Sequence, residues 1–333
     1  MLPERIPSLR RTGDLIKKTT HMNEKKRVLI VDDMHDSILP LLRDEGFDPV
    51  YLPIITRHEI LEIIHEFQGL IIRSKTTVDQ ELVDKAADLQ FVARAGAGID
   101  KLDEAYLKSK GIVIVNAPEG NRDALAEHTL GILLSVLHRL NFSYQQIKKG
   151  KWDREGNRGI ELKGKVVGIY GVGYMGKSFA KKLSGLGCEV IGYDKYNHDF
   201  EDEFVKEVSL EEFFEKTEIL SIHIPLTDET RYLFDREYLS KFKNLKVLVN
   251  TARGEVLRTS DLVELLEENV IYAAALDVLE NEKPATYTDE EKELIKRLTK
   301  QPNVIVTPHV GGWTFESYQR INEVLVKKLR EAF

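Results

Sequence analysis

Three side chains that could carry acid–base chemistry each follow a short apolar run in the second half of the chain. Arg253 lies in "TARGE", Glu282 in "DVLENEKP" and His309 in "TPHVGG". A guanidinium can bind a carboxylate through two parallel hydrogen bonds, and an imidazolium can give a proton to a carbonyl oxygen. A carboxylate beside the imidazole fixes its tautomer and keeps the protonated form available near neutral pH. Singly, His309 also fits a satisfied histidine at a strand end, and the other two fit surface charges, so the three residues carry weight only as a set.

A glycine-rich segment upstream predicts a dinucleotide site. "VVGIYGVGYMG" places Gly171, Gly173 and Gly176 in the spacing G-x-G-x-x-G, after β-branched residues and before a helical pattern, although an ordinary glycine-rich βα turn has the same composition. The first glycine permits a tight turn, the second lets a pyrophosphate approach the backbone, and the third lets helix and strand pack closely. Asp194 follows 18 residues after the third glycine, where a carboxylate binds ribose hydroxyls and repels a 2′-phosphate. The predicted cofactor is NAD, although the neighbouring Lys195 could tolerate some phosphate.

These residues require strands and helices to position them, and the chain alternates the two from residue 27 onward. Strands are predicted at 27–32, 48–52, 69–73, 91–95 and 112–116, with helices at 37–45, 56–66, 79–87 and 103–109. A long helix, 122–149, leads to a second series that starts at 165 and continues with strands at 189–194, 218–225, 246–252, 271–277 and 303–308. This alternation predicts an α/β fold with two doubly wound parallel sheets.

The closing helix, predicted at 314–332, has no sheet partner nearby in sequence, so we expect it to pack on the first domain. The predicted organisation is a Rossmann NAD-binding domain, 119–308, inserted into a flavodoxin-like substrate-binding domain made of 25–118 and 309–333. Residues 1–24 show no periodic pattern and are predicted to form a disordered extension.

Composition excludes several functional classes. The net charge of -7 argues against a nucleic-acid-binding surface, and no apolar run approaches the roughly 20 residues of a membrane span. The single cysteine, Cys188, excludes an internal disulfide, fits a reducing compartment and is interpreted as a small core residue. We therefore expect a cytoplasmic globular protein without a metal site.

In this order, "GVGYMG", "TARGE", "DVLENEKP" and "TPHVGG" closely resemble the D-isomer-specific 2-hydroxyacid dehydrogenases, and the resemblance runs from about residue 26 to the end. It implies hydride transfer between NAD and a small anionic 2-hydroxy or 2-oxo acid in the cleft between the domains. By this resemblance Arg253 binds the substrate carboxylate, while Glu282 and His309 form the acid–base pair. The implied cofactor contacts are Gly171, Gly173, Tyr174, Met175, Gly176, Asp194, His223, Pro225, Thr251, Ala252, Gly311 and Asp277, the last near the nicotinamide carboxamide.

Within that family, residues 71–103, "NAPEGN" and "TPHVGGWT" are similar to the phosphoglycerate dehydrogenase group, which implies a role in serine biosynthesis. The resemblance assigns substrate contacts to Arg73, Ser74, Arg94, Gly96, Asn121 and Trp313, and it implies a homodimer in which Arg139 reaches the neighbouring subunit's site. Arginines suit a substrate that carries both a carboxylate and a phosphate. The alternative is that Arg73 and Arg94 form ion pairs on the domain surface.

Two departures from that group leave the substrate open. The chain ends after the last helix, so feedback control by serine through a C-terminal regulatory domain is not expected. Trp313 stands where the group has a small hydroxyl residue; it could narrow the cleft in favour of hydroxypyruvate or glyoxylate, or form a lid that excludes water. The alternatives are therefore a glyoxylate or hydroxypyruvate reductase and, in another class, an NAD-sensing corepressor-like binding protein. Trp152 is expected to anchor the dimer interface, or else to pack within its own domain.

Overall fold

The computed structural model describes residues 25–333, so the extension predicted for residues 1–24 lies outside the described residues. Five parallel strands form the first sheet in the order β2-β1-β3-β4-β5, which is the predicted flavodoxin-like order. The strands are β1 (Arg27–Ile30), β2 (Asp48–Tyr51), β3 (Gly69–Ile72), β4 (Phe91–Arg94) and β5 (Val113–Asn116). The helices between them are α1 (Ile38–Asp44), α2 (Arg57–Ile63), α3 (Gln80–Lys85) and α4 (Glu104–Ser109).

All four helices begin one residue later than predicted because the predicted first residue is the N-cap, and in three of them the N-cap side chain makes a capping hydrogen bond. The side chains of Thr56, Asp79 and Asp103 each accept a hydrogen bond from a backbone N–H in the first turn of α2, α3 and α4. Such a cap satisfies a donor that the helix itself leaves unpaired. Capping side chains therefore fix where α2, α3 and α4 begin.

The predicted single helix at 122–149 is wrong, because the chain forms two helices, α5 (Pro118–Leu137) and α6 (Leu140–Lys148). Pro118 fits the first helical position, where its missing N–H costs nothing, so α5 starts earlier than predicted. Arg139 interrupts the pair with a left-handed φ of 54°. The carbonyl of Leu137 accepts a hydrogen bond of 2.9 Å from the N–H of Ile160 instead of from the next helical turn. The returning chain therefore competes for the bond that would have continued the helix.

Seven parallel strands form the second sheet in the order β12-β11-β10-β9-β6-β7-β8. They are β6 (Val166–Tyr170), β7 (Glu189–Tyr193), β8 (Lys206–Glu207), β9 (Ile219–Ile222), β10 (Val247–Asn250), β11 (Ala273–Leu276) and β12 (Val304–Val306). The accompanying helices are α7 (Tyr174–Leu183), α8 (Leu210–Lys216), α9 (Arg236–Leu239), α10 (Thr259–Glu267) and α11 (Asp289–Lys300). The two-residue edge strand β8 was not predicted, since a charged pair of this length has no strand pattern.

The last helix, α12 (Phe315–Ala332), packs on the first sheet, as expected. Alternation along β1 sends Val28 and Ile30 to the face that α12 covers, and Leu29 and Val31 to the opposite face. On the covered face the buried residues of α12 are Ile321, Leu325, Val326 and Leu329. Both faces of the first sheet are therefore apolar, and residues far apart in sequence complete one of them.

In each sheet the strand order reverses once, between β1 and β3 and between β6 and β9. Ligands of doubly wound sheets bind outside the carboxyl ends of the strands at such a reversal. A ligand-binding site is therefore expected at the loops that follow these four strands. None of the helices in residues 25–333 is both long and apolar enough to span a membrane.

Candidate active site

The glycine-rich loop between β6 and α7 has the geometry of a phosphate-binding turn. Gly171 adopts a left-handed φ of 95°, and a Cβ there would lie 2.8 Å from the carbonyl oxygen of His223. A Cβ on Gly176 would lie 2.2 Å from the carbonyl oxygen of Gly171, so only glycine lets the helix pack this closely. At Gly173 no atom of the described residues lies within 4 Å of the corresponding position, which leaves open space. The three glycines therefore fit a turn, a close helix–strand contact and an open approach to the backbone, as a pyrophosphate requires.

The first turn of α7 leaves its N–H groups available to an anion. Tyr174 and Met175 are its first two residues, and the N-cap Gly173 has no side chain that could accept their hydrogen bonds. Free N–H groups and the helix dipole favour negative charge at this end of a helix. The contacts of both residues with a pyrophosphate stay predictions.

Asp194, just after β7, ties that strand to the glycine loop. Its Oδ2 accepts the N–H of Val172 at 2.8 Å, and its Oδ1 accepts the N–H groups of residues 196 and 197 at 3.0 and 2.9 Å. A carboxylate has about four acceptor positions, so capacity remains for a ribose hydroxyl. The side chain of Lys195 forms an ion pair with Glu229. Its charge is thus compensated within the protein, which favours NAD over NADP.

His223 and Pro225 follow β9, on the other side of the strand-order reversal. The imidazole of His223 is buried, and burial lowers its pKa to about 4, so the ring is neutral at physiological pH. Its Nε2 lies 2.8 Å from the hydroxyl of Ser221. Pro225 is exposed, and its carbonyl accepts a 2.7 Å hydrogen bond from the hydroxyl of Thr230. On the predicted adenine side of the cofactor, His223 can therefore contribute backbone and van der Waals contacts but no positive charge.

The turn after β10 aims Arg253 out of the second sheet. Asn250 closes this turn, because its side chain accepts the N–H of Ala252 at 3.0 Å and donates to the carbonyl of Arg253 at 2.9 Å. Thr251 is buried, and its hydroxyl lies 3.2 Å from that of Thr129 on α5. Thr251 and Ala252 thus hold the turn that carries the arginine.

Arg253 crosses the cleft and meets the first sheet's loop 95–103. Its Nε and Nη2 donate to Oδ2 of Asp100 at 3.0 and 2.6 Å. A Cβ on Gly98 would lie 1.7 Å from the same Nη2, so the guanidinium lies directly against the glycine backbone. The two domains are joined here by an ion pair at the place where the predicted substrate carboxylate would bind. Sequence reasoning missed Asp100, because nothing in "AGID" distinguishes it from a surface carboxylate.

Glu282 and His309 form the predicted pair. Nδ1 of His309 lies 2.9 Å from each carboxylate oxygen of Glu282. His309 has a left-handed φ of 55°, and its N–H donates to the carbonyl of Asp277 at 2.8 Å. The imidazole Nε2 makes no hydrogen bond within residues 25–333, so this nitrogen is available to a substrate. The geometry suits proton transfer at Nε2 with the ring held from Nδ1.

Asp277 organises the loop that carries His309. Its carboxylate is 1% exposed and accepts the hydroxyl of Thr307 at 2.5 Å and the N–H groups of Val310 and Gly311 at 3.0 and 2.7 Å. Burial opposes its charge, but hydrogen bonds from His128, Thr307 and the loop outweigh burial and hold the pKa of Asp277 below its usual range. Its proximity to the nicotinamide stays a prediction.

His128 on α5 joins this network and was not predicted. Its Nε2 lies 3.0 Å from the hydroxyl of Thr307 and 3.3 Å from Oδ1 of Asp277. The glycines that follow His309 allow α5 to approach, since a Cβ on Gly311 would lie 2.7 Å from Cδ1 of Leu125 and one on Gly312 would lie 2.5 Å from Nδ2 of Asn121. The buried Oδ1 of Asn121 has no hydrogen-bond partner in the described part of the chain. Asn121 therefore lies at the His309 loop with a free acceptor, and its contact with the substrate stays a prediction.

Arg73 and Ser74 follow β3, and Arg94 and Gly96 belong to the β4 end and its loop. A Cβ on Gly96 would lie 1.9 Å from Nη1 of Arg94, so the guanidinium folds over that glycine. Burial and then the charge of Arg253 lower the pKa of Arg94 to about 10. Among residues 25–333 neither Arg73 nor Arg94 has a carboxylate within ion-pair distance, so the alternative of surface ion pairs is wrong.

Asp32, which was not predicted, shapes the loop that carries Arg73. This buried carboxylate accepts the backbone N–H groups of Arg73, Ser74 and Lys75, the last two at 2.9 and 3.3 Å. Its other oxygen, Oδ1, is buried without a partner in the described residues. Asp32 thus holds a loop of the first sheet through backbone N–H groups, as Asp277 holds the His309 loop of the second sheet.

Trp313 is half-exposed and lies against Arg73, with the guanidinium carbon 3.9 Å from the centre of the indole. Arg139, in contrast, lies away from this cleft in its own chain. It lines a small cavity of about 140 Å³ with Gln301 and Asn303, at the opposite end of β12 from His309. Its contact with a neighbouring subunit stays a prediction.

Comparison with known proteins places this arrangement among dehydrogenases. The family model described as D-isomer specific 2-hydroxyacid dehydrogenase, NAD binding domain, matches residues 130–311. A D-3-phosphoglycerate dehydrogenase of Methanocaldococcus jannaschii is 32% identical over 310 residues, which cover 92% of this chain and 57% of that protein. A hydroxypyruvate reductase of Thermotoga maritima is 33% identical over 303 residues, which cover 91% of this chain and 97% of that protein.

A solved structure supports the fold independently. The glyoxylate reductase of Paecilomyes thermophila matches with a TM-score of 0.81 at 23% identity, over 92% of this chain and 95% of that one. The chain spans a little over half the length of the M. jannaschii relative and nearly all of the T. maritima one.

Proposed function

Because the chain belongs to the D-isomer-specific 2-hydroxyacid dehydrogenase family, we propose that this NAD-dependent oxidoreductase acts on D-3-phosphoglycerate. The reaction oxidises the 2-hydroxyl to the ketone of 3-phosphohydroxypyruvate and serves serine biosynthesis. Since the relatives are named dehydrogenases and reductases, the alternative of a non-enzymatic NAD sensor is not retained. Bound NAD supplies the hydride acceptor, and side chains of the protein bind the substrate and exchange its proton.

His309 takes the hydroxyl proton during oxidation and returns it to the carbonyl oxygen in the reverse direction. The free Nε2 is the atom that exchanges the proton, and Glu282 holds Nδ1 with two 2.9 Å contacts. A carboxylate in this position fixes the tautomer and stabilises the imidazolium that forms. Asp277 and His128 keep the loop in place while the charge of the ring changes.

Arg253 binds the carboxylate of the substrate. In the structure its Nε and Nη2 face Asp100, so a substrate carboxylate shares or displaces this contact. Because Asp100 comes from the other sheet, this exchange couples substrate binding to the distance between the domains.

The observation that carries the choice of substrate is the pair of arginines without carboxylate partners at the ends of β3 and β4. Burial and the nearby charge of Arg253 lower the pKa of Arg94 to about 10, and the charge of Arg73 contributes to the same shift. Two uncompensated guanidiniums, in addition to Arg253, suit an acid with a second anionic group. A substrate with a single carboxylate would leave them unpaired.

A glyoxylate or hydroxypyruvate reductase is the second candidate. The T. maritima hydroxypyruvate reductase, of which the chain covers 97%, favours it. So does Trp313, if the indole closes the space that a phosphate would need.

Rates of NADH oxidation with 3-phosphohydroxypyruvate, hydroxypyruvate and glyoxylate decide between the two. The proposal expects kcat/KM to be at least about tenfold higher for the phosphorylated acid, because one charge-assisted contact contributes about 1.5–3 kcal/mol. Ionic strength is matched with NaCl, since added phosphate would compete for the arginines. A preference for hydroxypyruvate or glyoxylate would instead support the reductase.

We also propose the domain boundaries and the homodimer. Residues 25–118 with 309–333 form the substrate-binding domain, and 119–308 form the NAD-binding domain. Helix α6 has no buried residue, and Leu140, Tyr144, Ile147 and Trp152 are exposed along the region expected at the dimer interface. Trp152 is 86% exposed, so the alternative that it packs within its own domain is wrong. Light scattering on the protein and on a Trp152→Glu variant tests the dimer, which the charge should weaken.

A further inference from the structure

The indole of Trp313 and the ring of Tyr318 form an aromatic corner around Arg73. The guanidinium carbon of Arg73 lies 3.9 Å from the centre of the indole and 5.4 Å from the centre of the Tyr318 ring. The two aromatic rings are themselves 4.7 Å apart. These distances are those of cation–π contacts, so the rings attract the arginine and cover part of its surface.

A second set of contacts holds this corner in place. The hydroxyl of Tyr318 donates to Oδ2 of Asp33 at 2.9 Å, and the hydroxyl of Tyr51 donates to Oδ1 at 3.2 Å. Burial and the hydrogen bond to Asp33 raise the pKa of Tyr318, so it remains a donor at physiological pH. Nη1 of Arg73 reaches the backbone carbonyl of Asp33 at 3.4 Å. The loop after β1, the loop after β3 and the start of α12 therefore meet at Arg73.

Stacking leaves the useful edges of the guanidinium free. Arginine binds carboxylates and phosphates in its plane through N–H groups, whereas an aromatic ring covers its face. Apart from the long contact to Asp33, Arg73 has no hydrogen-bond acceptor for its side chain in residues 25–333. The contact thus orients the arginine and removes conformational freedom without consuming its donors.

We infer that Trp313 is a specificity-determining residue that fixes Arg73 for the second anionic group of the substrate. This inference rests on the proposed function and deepens it. An indole that stacks on the arginine contributes to the site for a remote phosphate or carboxylate. The competing hypothesis is that Trp313 only fills the cleft. The two hypotheses predict opposite changes in activity with the phosphorylated acid when the indole is removed.

The test compares Trp313→Ser and Trp313→Phe with the unmodified protein, using NADH oxidation with 3-phosphohydroxypyruvate and hydroxypyruvate. For Trp313→Ser, kcat/KM with the phosphorylated acid should fall about 2- to 30-fold more than with hydroxypyruvate, mainly through KM, since a cation–π contact contributes about 0.5–2 kcal/mol. Trp313→Phe keeps a ring under the arginine and should recover most of this selective loss. Equal losses with both acids would reduce Trp313 to a structural residue, and a gain with the phosphorylated acid would mean that the indole blocks the site; either result overturns the inference.

Failure of the proposed function is distinguishable from failure of this inference. If the unmodified protein prefers hydroxypyruvate, the substrate proposal fails, while the ratio between the two acids still decides the role of Trp313. If no 2-oxo acid is reduced, titration with inorganic phosphate decides instead. Trp313 is the only tryptophan left in a Trp152→Phe variant, so its fluorescence reports on Arg73. A saturable change that a further Arg73→Met substitution removes supports the inference, and no change overturns it.

Discussion

Replacing Arg94 with methionine should stabilise the ligand-free protein while weakening its binding of anions. The guanidinium lies partly buried against Gly96, beside the charges of Arg253 and Arg73, and has no carboxylate partner in residues 25–333. Methionine keeps much of the length of the side chain and removes the charge. Such a trade of stability for function is common where a site holds like charges together for a ligand.

The magnitude follows from the pKa of Arg94. Burial first, and then the neighbouring guanidinium of Arg253, lower this pKa from 12.5 to about 10. Because the folded value lies below the unfolded one, carrying the proton destabilises the fold at every pH below about 10, including neutral pH. At about 1.4 kcal/mol for each tenfold change in proton affinity, the upper limit is roughly 3 kcal/mol. Residual contact with water reduces this to about 1–2 kcal/mol, or a rise in Tm of about 2–5 °C.

Thermal unfolding in a buffer without multivalent anions measures this change, and a second series with inorganic phosphate measures the binding. Phosphate should raise the Tm of the unmodified protein and have a smaller effect on Arg94→Met. Arg57→Met is the matched control, because Nη2 of Arg57 lies 2.6 Å from Asp79 and 2.9 Å from Glu81. Losing that exposed pair should lower stability by up to about 1 kcal/mol. A fall of several degrees for Arg94→Met without phosphate would refute the reasoning, since the guanidinium would then hold the fold together.

Three further predictions concern the catalytic loop and the cleft. His309→Gln should lower kcat by at least about 100-fold while NADH binding changes little, and retained turnover would contradict its acid–base role. Gly98→Ala places a methyl 1.7 Å from Nη2 of Arg253 and should raise KM at least about tenfold, whereas Gly131→Ala, within α5 and without an atom of the described residues within 4 Å of its Cβ, should gain up to about 1 kcal/mol in urea unfolding. Because the pKa of Asp277 is lowered on folding, its carboxylate stabilises the fold above about pH 4 and loses this effect as the pH falls further. Asp277→Asn should therefore be less stable at neutral pH but lose less stability between about pH 5 and pH 2, and a parallel loss in both proteins would contradict the assignment.

Local patterns were sufficient for the two sheets and for the glycine turn. β-branched runs, glycine punctuation and the G-x-G-x-x-G spacing each concern residues that lie close together in sequence, so Gly171, Gly173 and Gly176 could be placed before any contact was known. The set of Arg253, Glu282 and His309 could be predicted because all three follow strands of one parallel sheet. Their carboxyl ends meet at the same edge.

The residues that were missed depend on contacts between distant segments. His128 joins Asp277 because α5 packs across the ends of β11 and β12, and Asp100 meets Arg253 across the cleft. Asp32 shapes a loop about forty residues away through three backbone N–H groups. Single polar residues of this kind carry no periodic signal. The break at Arg139 was missed for the same reason, since a segment twenty residues later takes the hydrogen bond that would have continued the helix.

The position of α12 over the first sheet has a consequence for the order of folding during synthesis. Strands β1 to β5 are complete at Asn116, but the helix that covers one face of their sheet begins only at Phe315, roughly 200 residues later. At about 5–20 residues per second, the ribosome needs roughly 10–40 s to supply it. Throughout that interval the apolar side chains of β1 and β4 on this face lack the part of their cover that α12 supplies, although α1 already packs on the same face. All strands of the seven-stranded sheet are synthesised before α12. The core of the first domain, although its strands are made first, is therefore completed last. Until then, the exposed apolar face of the first sheet could bind a chaperone or another nascent chain.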